Sequence, residues 1–413
     1  MLEKLYQLLR KDGTAEAAKK LARFALGELG ARLAPRGREL DALLDEIRRG
    51  AYERVILRRG SFGWHTPLFQ RPQQLSSALA KSGCLVLYEA ASPYDRVRGA
   101  QKLGENLWLV NLRAFPLRRR LERALEESVT RRYVQVASPE SRLRVSSLRA
   151  YSRRGWRVIY DYIDALSGEI SNSRRVPRRS LELYRYAMRG PCLVLASSLA
   201  LLRDARRFKP FKDVLLLENG VDSGFFSAPG ACPEDERFRE LLADGRPVLC
   251  YYGALARWLD YAALRALASD GRFQLLLIGV RYDDSYAREL AGEENVSFLG
   301  PRPYERLRDY AARCDVLLLP FLPGPVGDAA SPVKLFEYLA IARPIVAGDV
   351  AECRRCDGVL IARSAQDYVR AVEEALALKD SRLFRMRSQS LARQADWQKR
   401  ADLLCRALRQ REE

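Results

Sequence analysis

Histidine is almost missing from this 413-residue chain, where His65 stands alone. No Ser/His/Asp relay can be assembled around it and one imidazole makes no histidine-based zinc set, so neither chemistry is expected. Long apolar runs are missing too. No stretch approaches 18 consecutive apolar residues, and the opening Met1-Leu-Glu-Lys-Leu-Tyr meets charge at once. Both features argue against a membrane-spanning helix or a secretory leader, and for a cytoplasmic location. The eight cysteines, at 84, 192, 232, 250, 314, 353, 356 and 405, are scattered, mostly in apolar strand-like runs. Disulfides are therefore not expected. Cys353-x-x-Cys356 has no second pair or ligating histidine nearby, so zinc is not expected there either.

Apolar residues, at 48%, are ample for burial, and the length is too great for one ordinary core; two α/β domains with appendages fit better. Residues 1–50 read as helices, with Ala18, Leu21, Ala25 and Leu29 on one face and Lys19, Lys20 and Arg23 on the other, then Leu40, Leu43, Leu44 and Ile47 in register. Residues 51–218 alternate apolar strands (54–57, 84–88, 107–110, 133–137, 157–160, 192–196, 214–217) with helical stretches, the pattern of a doubly wound, largely parallel sheet. A Gly/Pro/Asp-rich passage over 219–247 reads as a linker opening a second domain, 219–380, with strands at 247–252, 274–278, 296–298, 316–319 and 345–347. Residues 381–413 are helical and have no strand partner.

Charge divides along the same line. The first 218 residues carry 43 Lys and Arg against 23 Asp and Glu, a net of +20, whereas the remainder carries 28 against 29. Clusters such as Arg118-Arg-Arg120, Arg131-Arg132, Arg174-Arg175, Arg178-Arg179 and 203–209 suggest a face for an anionic membrane surface or an anionic acceptor. Aromatics are sparse along these clusters, and a nucleic-acid partner is not expected.

The most informative stretch is Ser331-Pro-Val-Lys-Leu-Phe-Glu-Tyr-Leu-Ala340, followed by Ala342-Arg-Pro-Ile-Val-Ala347. Ser331 at an N-cap, Pro332 at the first helical position, and Leu335, Leu339 and Ala342 at helical spacing predict a helix whose bare N–H groups point at the preceding loop. Lys334 and Glu337 fall on one face of its first turns, offering a cation for phosphate oxygens and a carboxylate for sugar hydroxyls. Ahead of it runs Cys314-Asp-Val-Leu-Leu-Leu-Pro-Phe321, an apolar strand, then a Gly/Pro loop to Asp328.

With these neighbours the stretch resembles the donor-domain signature of retaining nucleotide-sugar glycosyltransferases of the GT-B fold, glycosyltransferase family 4. Phe69-Gln-Arg-Pro-Gln-Gln-Leu75, Tyr160-Asp-Tyr-Ile-Asp164, Glu218-Asn-Gly-Val-Asp222, Tyr252-Gly-Ala254, Leu277-Ile-Gly279 and Val296-Ser-Phe-Leu-Gly300 are similar to family segments, in family order. The resemblance implies two Rossmann-like doubly wound domains facing a cleft, with a last helix crossing back onto the first domain. It also implies transfer of a sugar, with retention, from a nucleotide-diphosphate sugar to a saccharide or lipid-linked acceptor, as in cell-surface polysaccharide synthesis.

Loops after parallel strands should line the cleft. On the donor side these hold Gly253, Arg257, Gly279, Gly300 and Arg302, and the 323–331 loop. By resemblance the loop after Leu299 meets the base, Glu337 the ribose, and Ser331, Pro332 and Val333 with Lys334 the diphosphate. The family's paired glutamates are broken, because Ala329 stands eight residues before Glu337 with Asp328 beside it. Either Asp328 takes over near the transferred sugar or backbone groups alone read it. Glu337, Lys334, Asp328 and His65 are thus the candidate catalytic residues. On the acceptor side, Gly63, Trp64, His65 and Arg71 lie in or beside a long loop after the first strand, and Asp161 and Asp164 end another. His65 reads equally as structural or functional, and one of the two aspartates as a helix cap. A helix end, Lys334 and Arg257 would stabilise the departing diphosphate without metal. The alternative is a catalytically weak GT-B-like protein acting as a membrane-surface or scaffold module.

Overall fold

The structure, a computed structural model, describes residues 38–412 apart from 51, 67–68, 93, 140–141 and 168–175. The helices expected before residue 38, with Lys19, Lys20 and Arg23, and the pair Arg174-Arg175 lie outside the described residues. Among the described residues fourteen strands form two sheets. The first holds β1 (Arg54–Arg59), β2 (Leu85–Glu89), β3 (Ala100–Gly104), β4 (Leu107–Val110), β5 (Arg131–Ala137), β6 (Arg157–Tyr162), β7 (Cys192–Ala196) and β8 (Val214–Leu216). The second holds β9 (Val248–Tyr252), β10 (Gln274–Ile278), β11 (Val296–Gly300), β12 (Val316–Leu319), β13 (Ile345–Gly348) and β14 (Val359–Ala362).

The order in the first sheet is β3-β4-β2-β1-β5-β6-β7-β8, parallel except for the β3–β4 edge pair. In the second it is β11-β10-β9-β12-β13-β14, with parallel pairing throughout. Strands such as Cys-Leu-Val-Leu-Ala of β7 are buried along their whole length because helices cover both faces. The two strands that the sequence pattern did not announce, β3 and β14, are edge strands with partly exposed side chains.

The helix Arg38–Arg48 buries Leu40, Leu43, Leu44 and Ile47 at the expected spacing. The 219–247 passage is more than a linker. Its two short helices, Ser223–Ser227 and Glu236–Ala243, bury Phe226, Phe238 and Leu241 in the core of the second sheet. The helix Trp397–Gln410 is capped by Asp396 and packs Trp397, Ala401, Leu404, Cys405 and Leu408 with Leu75, Leu79 and Cys84 of the first sheet's outer core. Beyond it, Glu412 is gripped by Arg54 at 2.6 Å and Arg131 at 3.0 Å. All eight cysteines are free, with the sulfurs of Cys84 and Cys405 3.8 Å apart. Among the described residues no helix is long and apolar enough to cross a membrane.

Candidate functional site

Each sheet has one point where consecutive strands diverge to opposite sides. It falls between β1 and β5 in the first sheet and between β9 and β12 in the second. Ligand crevices form at such points because the loops leaving the two strands part there. The two points face each other. Loops after β1 and β5 supply Gly60, Phe62 and Ser138, and loops after β9 and β12 supply Ala254, Trp258 and Phe321, to one cavity of 470 Å³. A smaller pocket of 220 Å³ continues from it toward the helix Val333–Ile341; Gln70, Ile163, Asp164, Phe321 and Ala330 line both.

The small pocket is built on glycines. The Gly253 N–H donates to Ile278 at 2.8 Å and the Gly279 N–H to Gly300 at 2.9 Å, which aligns three strand ends. All three glycines have positive φ, 147°, 146° and 71°. A Cβ on Gly279 would lie 1.8 Å from the Gly253 carbonyl oxygen, and one on Gly253 would lie 2.2 Å from Cε of Lys334. Glycine is required at both places by close approach as well as by conformation. The stem of Lys334 lies across this floor, and its ammonium makes no hydrogen bond or ion pair among the described residues. Burial lowers its pKa, while Glu337 opposes that shift.

Glu337 is 3% exposed and accepts from the hydroxyls of Tyr252 at 2.7 Å and Tyr304 at 2.9 Å. Burial pushes its carboxyl pKa up, against the two hydroxyls and Lys334. Gln74 of the first domain donates to the same Tyr304 hydroxyl, tying the carboxylate to both halves of the cleft. The helix begins one residue later than its sequence implies. Pro332 occupies the N-cap, no side chain caps the end, and Ala342 is the left-handed C-cap rather than a helical residue. Ser331, expected as the cap, is 7% exposed and its hydroxyl has no partner, while its carbonyl accepts from Asn219. A cation, an uncapped helix end and an unpaired hydroxyl therefore converge on one pocket, an arrangement suited to phosphate oxygens.

The large cavity holds charge in its first-domain wall. Arg59 pairs with Glu89 at 2.9 Å and donates to Tyr151 at 2.7 Å. Arg58 lines the same wall. Asp164 lies at the junction with the small pocket, with its carboxyl pushed by burial, and secondarily by Asp161, up to about 6. Trp258 and Tyr282, with ring centroids 5.1 Å apart, stand on the second-domain side.

Other expected site residues are engaged elsewhere. Arg71, 1% exposed, donates to Asp161 at 2.8 and 3.0 Å and to Leu217 and Asn219, so it and the wholly buried Asp161 hold each other in place. Asp328 accepts from the Ala351 N–H at 3.0 Å, pairs with Arg354, and lines none of these cavities. Ala329 is buried, with its carbonyl accepting from Ser198 of the first domain at 2.8 Å. Arg257 is paired with Asp283, and the guanidinium of Arg302 is spent on Asp235, Leu299 and Tyr310. Gly63 is packed against Ser92, and Trp64 stacks edge-on to Phe69 and Tyr88. His65 is exposed in a third cavity, with Arg302 and Tyr304 and apart from Lys334. Sequence reasoning missed Arg58, Glu89, Trp258, Tyr282 and Tyr304. Only Arg58-Arg59, two charges at the carboxyl end of a buried strand, carried a signal.

Residues 246–378 match the family described as Glycosyl transferases group 1. A curated relative, TuaH of Bacillus subtilis (strain 168), assigned to teichuronic acid biosynthesis as a glycosyltransferase, is 25% identical over 258 residues. That match covers 58% of this chain, which spans 64% of the relative's length. Among solved structures, sucrose-phosphate synthase of Thermosynechococcus elongatus superposes with a TM-score of 0.63 at 18% identity, covering 87% of this chain and 98% of that one. HepE of Anabaena in complex with UDP-glucose superposes with a TM-score of 0.60 at 17% identity, covering 86% and 99%. The family match over the second sheet and the shared architecture of both sheets agree: residues 246–378 match the glycosyl transferases group 1, and the chain has the GT-B fold.

Proposed function

We propose that this chain transfers a glycosyl group, with retention, from a nucleotide-diphosphate sugar to a saccharide or lipid-linked acceptor in polysaccharide synthesis. The observation that carries the reading is Lys334, a half-buried ammonium without a hydrogen-bond partner among the described residues, lying over Gly253 beside the Ser331 hydroxyl, likewise unpaired among them. Diphosphate oxygens satisfy all of these at once, and the helix end and Lys334 stabilise charge growing on the leaving group. No divalent metal is then required. Glu337 would hold the ribose beside its two tyrosines, and the sugar would extend past Gly253 into the 470 Å³ cavity. Asp164, ionising near neutrality at the junction, is the carboxylate best placed to meet a reacting acceptor hydroxyl. The half-specific charge excess supports an acceptor presented at an anionic membrane surface in the cytoplasm.

The burial of Ala329 and the outward turn of Asp328 favour one second reading, a GT-B-like binding module with little turnover. A thermal-shift panel of UDP, GDP and ADP and their sugars tests the first step, since a ligand at ~100 times its Kd adds about 2.7 kcal/mol to stability. Release of nucleotide diphosphate from the stabilising donor then separates transferase from module.

A further inference from the structure

We propose that the acceptor is an acidic saccharide, and that the 470 Å³ cavity seats its sugar carboxylate on Arg58. This rests on the transferase reading above and adds the chemical class of the acceptor.

Arg58 differs from every other buried arginine of β1 and the helix after it. Arg54, Arg59 and Arg71 each make two or more side-chain hydrogen bonds. Arg58 makes no hydrogen bond of ordinary length among the described residues, although it is 4% exposed, and its Nη1, shut from solvent, has only a long ion pair to Asp161. That acid is 3.9 Å away through Oδ2, which also accepts from Gln135, while its Oδ1 takes both bonds from Arg71. The guanidinium also lies over the ring of Tyr88, 5.9 Å from its centroid, which fixes its plane. A buried cation left without acceptors is costly to the fold. A ligand carboxylate would meet two donors of the planar fork together.

The wall charges select the ligand's valence. Arg59 and Glu89 neutralise each other, and Asp164 is the remaining acid facing the cavity. One cation held only by a long ion pair matches a singly charged group. A dianionic phosphate monoester would be repelled by Asp164 across the same space more strongly than a monoanion. The opposite wall offers Trp258, Tyr282 and Phe321, apolar faces on which a sugar ring packs. The volume lies within the range of about 300–1,000 Å³ that holds small ligands.

The test uses the full chain and three probes at matched ionic strength: methyl β-D-glucuronide, methyl β-D-glucoside and glucose 1-phosphate. Ligand-observed NMR titration should show the glucuronide binding at least ~tenfold tighter than either other probe. Arg58→Gln should abolish that preference, with nucleotide diphosphate affinity unchanged. Equal binding of glucuronide and glucoside, tighter binding of glucose 1-phosphate, no glucuronide binding at tens of millimolar, or a preference that survives Arg58→Gln would each overturn the proposal. Should Arg58→Gln not fold, the wild-type ratio decides, with Arg58→Lys expected to keep part of it. Nucleotide diphosphate binding without a glucuronide preference defeats the subsite alone. Failure of every nucleotide diphosphate to bind defeats the transferase reading and the subsite with it.

Discussion

Lys334→Met removes the charge of Lys334 and keeps a stem of similar length over Gly253, so the glycine floor stays filled. The ammonium makes no hydrogen bond or ion pair among the described residues, and its neighbour Glu337 is occupied by two tyrosine hydroxyls. Removing the charge should thus cost the free protein nothing. Nucleotide diphosphate binding should lose one charge-assisted contact, about 1.5–3 kcal/mol. That is a rise in Kd of about 10- to 150-fold. Because burial holds the folded pKa below the ordinary lysine value of 10.5, the folded chain binds this proton less tightly than the unfolded chain. Stability contributed at this site therefore rises with pH between the lowered value and 10.5, and the variant should lose that rise. Calorimetric titration measures the affinity, and thermal melts across pH measure the linkage. An unchanged Kd in a folded variant would refute the donor-site assignment. A lower melting temperature near pH 7 would refute the claim that the charge is uncompensated.

Three further outcomes are expected. Asp164 has its folded pKa raised to about 6, so its cost to stability is present above that pH and fades as pH falls toward 3.8. Asp164→Asn should accordingly melt higher than the parent at pH 7.5, with the gap closing below pH 4, and the parent's turnover should fall as pH drops through about 6; a pH-independent gap argues against the assignment. Turnover should survive excess EDTA, because the helix end and Lys334 supply the leaving-group stabilisation; loss of activity restored by Mg²⁺ or Mn²⁺ would show a chelating site. Phe208 and Phe211 are exposed among Arg203, Arg206, Arg207 and Lys212, and each basic residue near an anionic leaflet contributes about 1 kcal/mol. Co-sedimentation with phosphatidylglycerol vesicles should fall steeply with salt and should fail for the triple variant Arg206→Glu, Arg207→Glu, Phe211→Ser; equal binding by that variant moves the surface elsewhere.

Local pattern was enough for most of the architecture. Apolar runs with Gly/Pro punctuation placed twelve of fourteen strands, because a strand buried on both faces must be apolar throughout. β3 escaped because Ala100-Gln-Lys-Leu-Gly104 is half-solvated and carries no such run, whereas β14, Val359-Leu-Ile-Ala362, is a four-residue apolar run at a sheet edge. The passage 219–247 reads as a linker since its few apolar side chains, Phe226 and Phe238 among them, are spaced by turns, and only the second core shows why they are there.

The sequence by itself determined the α/β alternation and the helix that presents Lys334 and Glu337. Both follow from periodicity and backbone conformation, which act over a few residues. Tertiary structure alone decided which charges are free. Arg71, Arg302, Arg257 and Asp328 resemble binding groups in the sequence yet are held by Asp161, Asp235, Asp283 and Arg354, while Arg58 has only a long ion pair among the described residues. Whether a charged side chain can meet a ligand depends on partners tens to hundreds of residues away. Burial, which raises the cost of any charge left unpaired, depends on packing that no local pattern encodes.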